Sequence, residues 1–236
     1  MLSGPRNIST TMMRSFESRD DTIVHDEPFY ACFLQSTGAP HPLREAILQA
    51  QSSQWHIVAQ QLRDAGASAV ISFEKHIAYH LTAFRDFTWL EDASVFHLVR
   101  DPRAMIASFK NKYDDVAPII DSYRIQKDIY EWGTARGINQ PIIDATDIQQ
   151  NPAVMLEQLC HALSISYSDA MLSWQAGARE SDGVWGPHWY DAVITSTGFR
   201  PFTEKPIELS PAHEDIAAQC EENYRFFADK RLRLDC

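Results

Sequence analysis

Val95-Phe96-His97-Leu98-Val99 is an almost unbroken apolar run, closed by Arg100-Asp101-Pro102. A strand alternates its side chains between two faces, so a run of this kind needs cover on both. A parallel sheet with helical crossovers meets that demand; a sheet with one wet face does not. Shorter runs of the same character occur at Thr22-Ile23-Val24, Ala69-Val70-Ile71-Ser72-Phe73 and Pro141-Ile142-Ile143. Between them the apolar residues fall at helical spacing. Met12, Met13 and Phe16 follow Ser9, a residue suited to capping a helix. Ile47, Trp55, Val58 and Leu62 predict one helix over 46–65 that stops at Gly66. Ile77, Leu81 and Phe84 predict another directly after the Ala69–Phe73 strand. Asp101-Pro102 opens a helix through Met105, Ile106 and Phe109, residues 119–136 are helical, and Asn151-Pro152 opens a helix through Val154, Leu156, Leu159 and Leu163.

Strands alternating with longer helices predict an α/β fold, a three-layer αβα arrangement around a central parallel sheet. From Trp174 to Phe202 the pattern dissolves into Gly, Pro, Trp, His and Tyr, and a helix over 212–227 follows. Long irregular segments of that kind tend to carry function. With no repeat or linker, residues 1–236 read as a single domain, with a core over 1–163 and a C-terminal loop and helix region over 164–236. Only Met1 and Leu2 precede the loop Gly4 to Ile8, so either the first strand is very short or the chain begins downstream of its natural start.

Asp and Glu number 32 against 21 Lys and Arg, a formal net charge of −11. That excludes a general nucleic-acid binder, which needs a basic surface, but leaves room for a small anion held by a few basic groups. No stretch approaches the ~18 apolar residues of a membrane span. No secretory leader is visible, and Cys32, Cys160, Cys220 and Cys236 lack C-x-x-C spacing. They read as thiols of a reducing compartment, so the expected location is cytoplasmic.

Two motifs carry chemistry. In Ser3-Gly4-Pro5-Arg6-Asn7-Ile8-Ser9-Thr10-Thr11 a loop runs from a strand into a helix start. Unpaired amides there carry the positive end of the helix dipole, hydroxyls at Ser9, Thr10 and Thr11 add donors, and Arg6 adds a fixed charge. This is a phosphate cradle by mechanism, and equally a capped helix after a tight turn. It is not a Walker A loop, which needs a second glycine followed by Lys and Ser or Thr. In His97-Leu98-Val99-Arg100-Asp101-Pro102-Arg103 with Ser108 beyond, Arg100 closes a central strand, where ligands of parallel sheets bind. Ser108, two helical turns on, can face the same ligand; taken alone, Arg100-Asp101 is also an ordinary Arg-Asp pair capping a helix.

Together, in this order and spacing, the two motifs resemble the sulfotransferases that use 3′-phosphoadenosine-5′-phosphosulfate (PAPS). Asp144-Ala145-Thr146-Asp147-Ile148 with Asn151-Pro152 looks like the strand-loop-helix that follows in many members, so the likeness spans roughly residues 2–163. The wording of the first loop is most similar to small bacterial-type members. The resemblance implies a P-loop-nucleotide-hydrolase-like sulfotransferase fold with PAPS as co-substrate. Arg6, Asn7, Ser9, Thr10 and Thr11 fall in the loop that holds the 5′-phosphosulfate, and Arg100 and Ser108 take the place of the 3′-phosphate pair. The sequence departs from the family pattern at three points. Ile8 stands at the usual loop glycine. Arg6 replaces the catalytic lysine of the cytosolic animal branch. No glycine-rich adenine-side loop is recognisable, residues 177–183 being a weak stand-in.

Sulfuryl transfer needs positioning, charge stabilisation on the leaving oxygen and a base for the acceptor proton; no metal is required, and no metal-ligand spacing appears. Arg6 is the candidate for the leaving group and Lys75 a second cation. By the resemblance Glu27, after the second strand, and His76, after the third, compete as base; the placement of Asp26-Glu27-Pro28-Phe29-Tyr30 across from the loop favours Glu27. Trp185, His188, Trp189 and Tyr190 are candidates for the wall of a small-molecule acceptor pocket, or simply pack the C-terminal region. A P-loop kinase-like phosphotransferase and a catalytically degenerate nucleotide- or partner-binding member are the rival readings. Exposed edges of a parallel sheet and the last helix leave surfaces for a homodimer.

Overall fold

The computed structural model describes all residues except 85, 114, 205, 235 and 236, so Cys236 lies outside the described residues. Strand β1 (Leu2–Ser3) leads through a loop into α1 (Ser9–Glu17), and β2 (Thr22–Asp26) is followed by α2 (Tyr30–Thr37), α3 (Arg44–Ala50) and α4 (Trp55–Ser68). Strand β3 (Ile71–Ile77) ends in a 3-10 turn at Ala78–Leu81, and β4 (His97–Val99) feeds α5 (Pro102–Phe109) and α6 (Pro118–Thr134). Strand β5 (Ile142–Asp144) feeds α7 (Ala145–Gln150) and α8 (Pro152–Ala162); short helices α9 (Gly186–Trp189) and α10 (Asp191–Ile194) precede α11 (Pro211–Ala228).

All neighbouring strands are parallel, in the order β2-β3-β1-β4-β5. The two residues of β1 hold the centre: Leu2 registers with His76 on one side and with His97 on the other. The connection leaving β1 runs toward β2 and the one leaving β4 runs toward β5, so a crevice opens between their carboxyl ends. Two helical layers cover the sheet. Met12, Met13 and Phe16 of α1 with Leu156 and Leu159 of α8 pack on Phe73, Leu98 and Ile143. Val58 and Leu62 of α4 with Ile125 and Ile129 of α6 pack under Leu2, and Phe227 of α11 packs with Ile142 and Val99. Each fully buried side chain of this size contributes about 1.5–3 kcal/mol. Asp101 and Asn151 cap their helices as expected, accepting from the amides of Ala104 at 3.0 Å and Val154 at 3.4 Å.

Three elements differ from the sequence reading. The 46–65 helix is two helices, α3 and α4, broken at residues 51–54, and α4 runs through Gly66 to Ser68. Gly66 has open space around it and no positive φ, so nothing there forces a stop. Strand β3 continues through Glu74, Lys75 and His76 to Ile77, because its pairing with β2 puts Asp26 opposite Lys75 and His25 opposite Glu74. Only a 3-10 turn follows it, with no helix through Phe84. Among the described residues, no helix is long and apolar enough to cross a membrane.

Candidate active site

The loop after β1 is held tightly. A Cβ on Gly4 would lie 2.4 Å from Met105 Cε, so the backbone passes directly over α5. Asn7 is buried and its Nδ2 donates to the Leu98 carbonyl at 3.1 Å, tying the loop to β4. Arg6 and Ile8 both take left-handed backbone, φ 62° and 56°. For a β-branched residue that conformation costs about 1–2 kcal/mol, which explains why glycine suits the position. Ile8 is the N-cap of α1 and no side chain caps the helix; Ser9, expected as the cap, is instead its first helical residue. The first-turn amides at Ser9, Thr10 and Thr11 are thus left for something other than a capping side chain, and all three residues line a cavity of about 250 Å³.

The second motif meets the first there. Arg100 donates to the Arg6 carbonyl at 2.7 Å, and Arg6 Nε donates to Ser108 Oγ at 3.1 Å. Arg6, Arg100 and Ser108 all border the cavity, and neither guanidinium has a carboxylate partner among the described residues. Burial lowers the pKa of both; Arg100 lowers that of Arg6 further, while Asp144, Asp101 and Tyr123 partly offset the effect on Arg100. Asp191 partly offsets the effect on Arg6 in the same way, but with no carboxylate in ion-pair contact among the described residues the two crowded cations favour a bound anion.

The opposite wall is acidic and buried. Lys75 Nζ donates to Asp26 Oδ1 at 2.8 Å, to Glu27 Oε1 at 2.6 Å and to the Tyr190 hydroxyl at 2.7 Å. Tyr190 donates to Asp26 Oδ2 at 2.7 Å and accepts from Trp185 Nε1 at 2.8 Å; the Gly183 amide donates to Asp26 Oδ2 at 2.9 Å. Glu27 sits just past β2 at φ 42°, a strained conformation of the sort found at working sites. Burial pushes its carboxyl above the usual range, Lys75 opposes that shift and Asp26 adds to it. Burial alone would lower Lys75, but Asp26 and Glu27 outweigh it and hold the ammonium above its ordinary value. Between the two walls, Tyr30, Ile77, Tyr79, Phe109, Trp189 and Val193 make an apolar lining, with Phe199 and Arg200 nearby.

Of the residues singled out from sequence, Arg6, Ser9, Thr10, Thr11, Glu27, Lys75, Arg100, Ser108, Trp189 and Tyr190 converge on this cavity. Four do not line it. Asn7 ties the loop down, and Trp185 lies beneath Tyr190. His188 is half-buried with its ring against Trp189. His76 points to the other face of β3 from Lys75, buried against Phe29 and Trp89, with Nε2 2.9 Å from Glu74 Oε2. Strand alternation makes Lys75 and His76 exclusive: one reaches the cavity only if the other does not. Asp26, Tyr30, Tyr79 and Arg200 were not foreseen. The alternation of Phe73, Lys75 and Ile77 was the available signal for the site-facing side of β3.

Residues 1–224 match the family described as the sulfotransferase domain. The chain belongs to that family. Two solved sulfotransferase domains share its fold: one from the Synechococcus PCC 7002 olefin synthase (TM-score 0.57, 18% identity, covering 93% of this chain and 92% of that one) and one from the curacin biosynthetic pathway (TM-score 0.51, 17% identity, 93% and 95%). Among curated proteins, this sulfotransferase domain is 32% identical over 221 residues to the branched-chain-amino-acid aminotransferase-like protein 2 of Arabidopsis thaliana, and 32% over 217 residues to protein 1 of the same name. The alignments cover 92% and 91% of this chain but 39% and 38% of those proteins, so the chain spans under half the length of the curated relatives it matches.

Proposed function

We propose that this sulfotransferase domain moves a sulfuryl group from PAPS to a hydroxyl or amine of a small-molecule acceptor. The observation that carries the reading is one cavity with two unlike walls. Uncapped helix amides and two guanidiniums without acid partners stand on one side, and a buried carboxylate stands on the other. The residues fit the group: the α1 amides with Arg6 suit the 5′ phosphosulfate, and Arg100 with Ser108 suits the 3′-phosphate. PAPS supplies the activated sulfuryl group when bound. Arg6 links the two anion sites: its backbone carbonyl accepts from Arg100 and its guanidinium donates to Ser108 Oγ, and that guanidinium, bordering the cavity, is the group suited to offset charge on the leaving oxygen. Glu27 borders the cavity and is the group suited to take the acceptor proton, its carboxyl lifted toward the working range by burial. His76 is a poorer candidate from where it lies. A kinase-like reading finds less support, because the loop has no lysine.

The test is calorimetric titration of adenosine 3′,5′-bisphosphate with AMP as control. Micromolar binding with a clear preference for the 3′-phosphorylated nucleotide is the expected result. Absence of binding to folded protein overturns the reading and points to the degenerate alternative.

A further inference from the structure

Lys75 borders the cavity yet is wholly buried, and its three ammonium protons already have acceptors: Asp26 Oδ1, Glu27 Oε1 and the Tyr190 hydroxyl, all within 2.8 Å. An ammonium has three donors and no more. The rest of the cluster is equally complete. Tyr190 donates to Asp26 and accepts from Trp185, and Asp26 Oδ2 also takes the Gly183 amide. One oxygen stands apart. Glu27 Oε2 accepts no hydrogen bond among the described residues, and His80 Nδ1 lies 3.6 Å from it, beyond good hydrogen-bond distance.

We infer that Asp26, Lys75 and Tyr190 form a buried clamp that fixes Glu27 through Oε1 and leaves Oε2 as the proton acceptor, and that Lys75 is a positioning residue with no contact to the transferring group. The inference rests on the sulfotransferase reading for its chemistry. In the step it serves, the acceptor O–H bond breaks and its proton bonds to Oε2, while the acceptor oxygen bonds sulfur. The bond from sulfur to the nucleotide phosphate breaks and its electron pair leaves on that phosphate. Lys75 keeps its three protons throughout.

The groups facing Glu27 are Asp26 from β2, Lys75 from β3, His80 and Tyr79 from the turn after it, Tyr30 from α2, and Tyr190. His80 is neutral, because burial holds its pKa well below the usual histidine value, with His41 and Lys75 adding to the shift. The clamp therefore makes two predictions of opposite sign. Lys75→Met removes the cation that favours ionised Glu27, so the carboxyl titrates higher. Asp26→Asn removes a repelling carboxylate, so it titrates lower. Each shift is expected to be about one pH unit or more.

The experiment is an infrared pH titration of the intact chain, with the protonated Glu27 band identified by its loss in Glu27→Gln. Calorimetry with adenosine 3′,5′-bisphosphate runs alongside on every variant. Opposite shifts with nucleotide affinity kept within about threefold support the clamp. An unmoved Glu27 titration, or Lys75→Met losing nucleotide binding tenfold or more, overturns it and makes Lys75 an anion-contacting cation. If Lys75→Met does not fold, Asp26→Asn and Tyr190→Phe decide: a downward shift in the first, with nucleotide binding intact in both, is required. Failure of the wild-type chain to bind the nucleotide sinks the sulfotransferase reading instead, and the infrared titration still judges the clamp.

Discussion

Arg100→Ala separates a nucleotide site from a structural cap. Arg100 closes β4, is half-buried, and its guanidinium donates to the Arg6 carbonyl at 2.7 Å. Two effects follow from its removal. The loop loses a tether worth about 1 kcal/mol, which weakens any ligand of the α1 amides alike. A 3′-phosphate also loses a charge-assisted partner worth about 1.5–3 kcal/mol, or roughly ten- to 150-fold in affinity. The common loss cancels in a ratio, so the readout is the preference for adenosine 3′,5′-bisphosphate over AMP, measured by calorimetry on wild type and variant. The preference should collapse by at least tenfold, with Arg100→Lys falling between, since it keeps the charge but loses the planar fork. Equal losses for both ligands would refute the argument and leave Arg100 as a loop tether.

Other consequences are measurable by denaturant unfolding. Ile8→Gly should cost less than about 2 kcal/mol, because relief of the left-handed backbone offsets part of the packing lost from a side chain set against the core; a loss above about 3 kcal/mol would mean the backbone strain is immaterial. Gly183→Ala should cost about 1–3 kcal/mol and disturb Glu27, since its Cβ would lie 2.1 Å from the Trp185 ring that supports Tyr190. Gly4→Ala should cost less, the obstacle being only the mobile end of Met105; comparable losses would contradict that distinction. Burial drops His97 from 6.5 to about 4. The unfolded chain thus takes up this proton first, and stability present above pH 6.5 declines as pH falls toward 4, by about 3 kcal/mol in all. His97→Gln should flatten that slope, and an unchanged slope would place the acid sensitivity elsewhere.

The convergence of the first loop and the β4 end on one cavity was legible because its parts are local. A loop followed by a helix start, and an Arg closing an apolar strand, each lie within ten or so residues, and parallel topology alone brings strand ends together. The left-handed backbone at Ile8 was harder to read: Gly4, Pro5 and Asn7 mark a loop, but a β-branched side chain argues against positive φ at that residue. The 51–54 break between α3 and α4 was hidden because the apolar spacing runs across it unbroken. Residues 174–202 signalled function by their irregularity, yet not which of their aromatics face inward: Trp189 and Tyr190 reach the cavity, while Trp185 and His188 do not.

The acidic wall shows the deeper limit. Glu74-Lys75-His76 looks like the polar end of a strand, because three ionisable residues in a row argue against burial. What reverses that argument is register. Pairing β2 with β3 sets Asp26 beside Lys75, and the turn into Glu27 delivers a second carboxylate to the same ammonium. Tyr190 arrives from more than a hundred residues away to complete it. Each group alone would be prohibitively costly to bury, and together they satisfy one another while leaving one Glu27 oxygen without a hydrogen-bond partner among the described residues. A charge whose burial depends on a strand neighbour and a distant tyrosine cannot be read from its own surroundings. The same dependence makes Glu27 tunable: its proton affinity answers to residues on three separate segments.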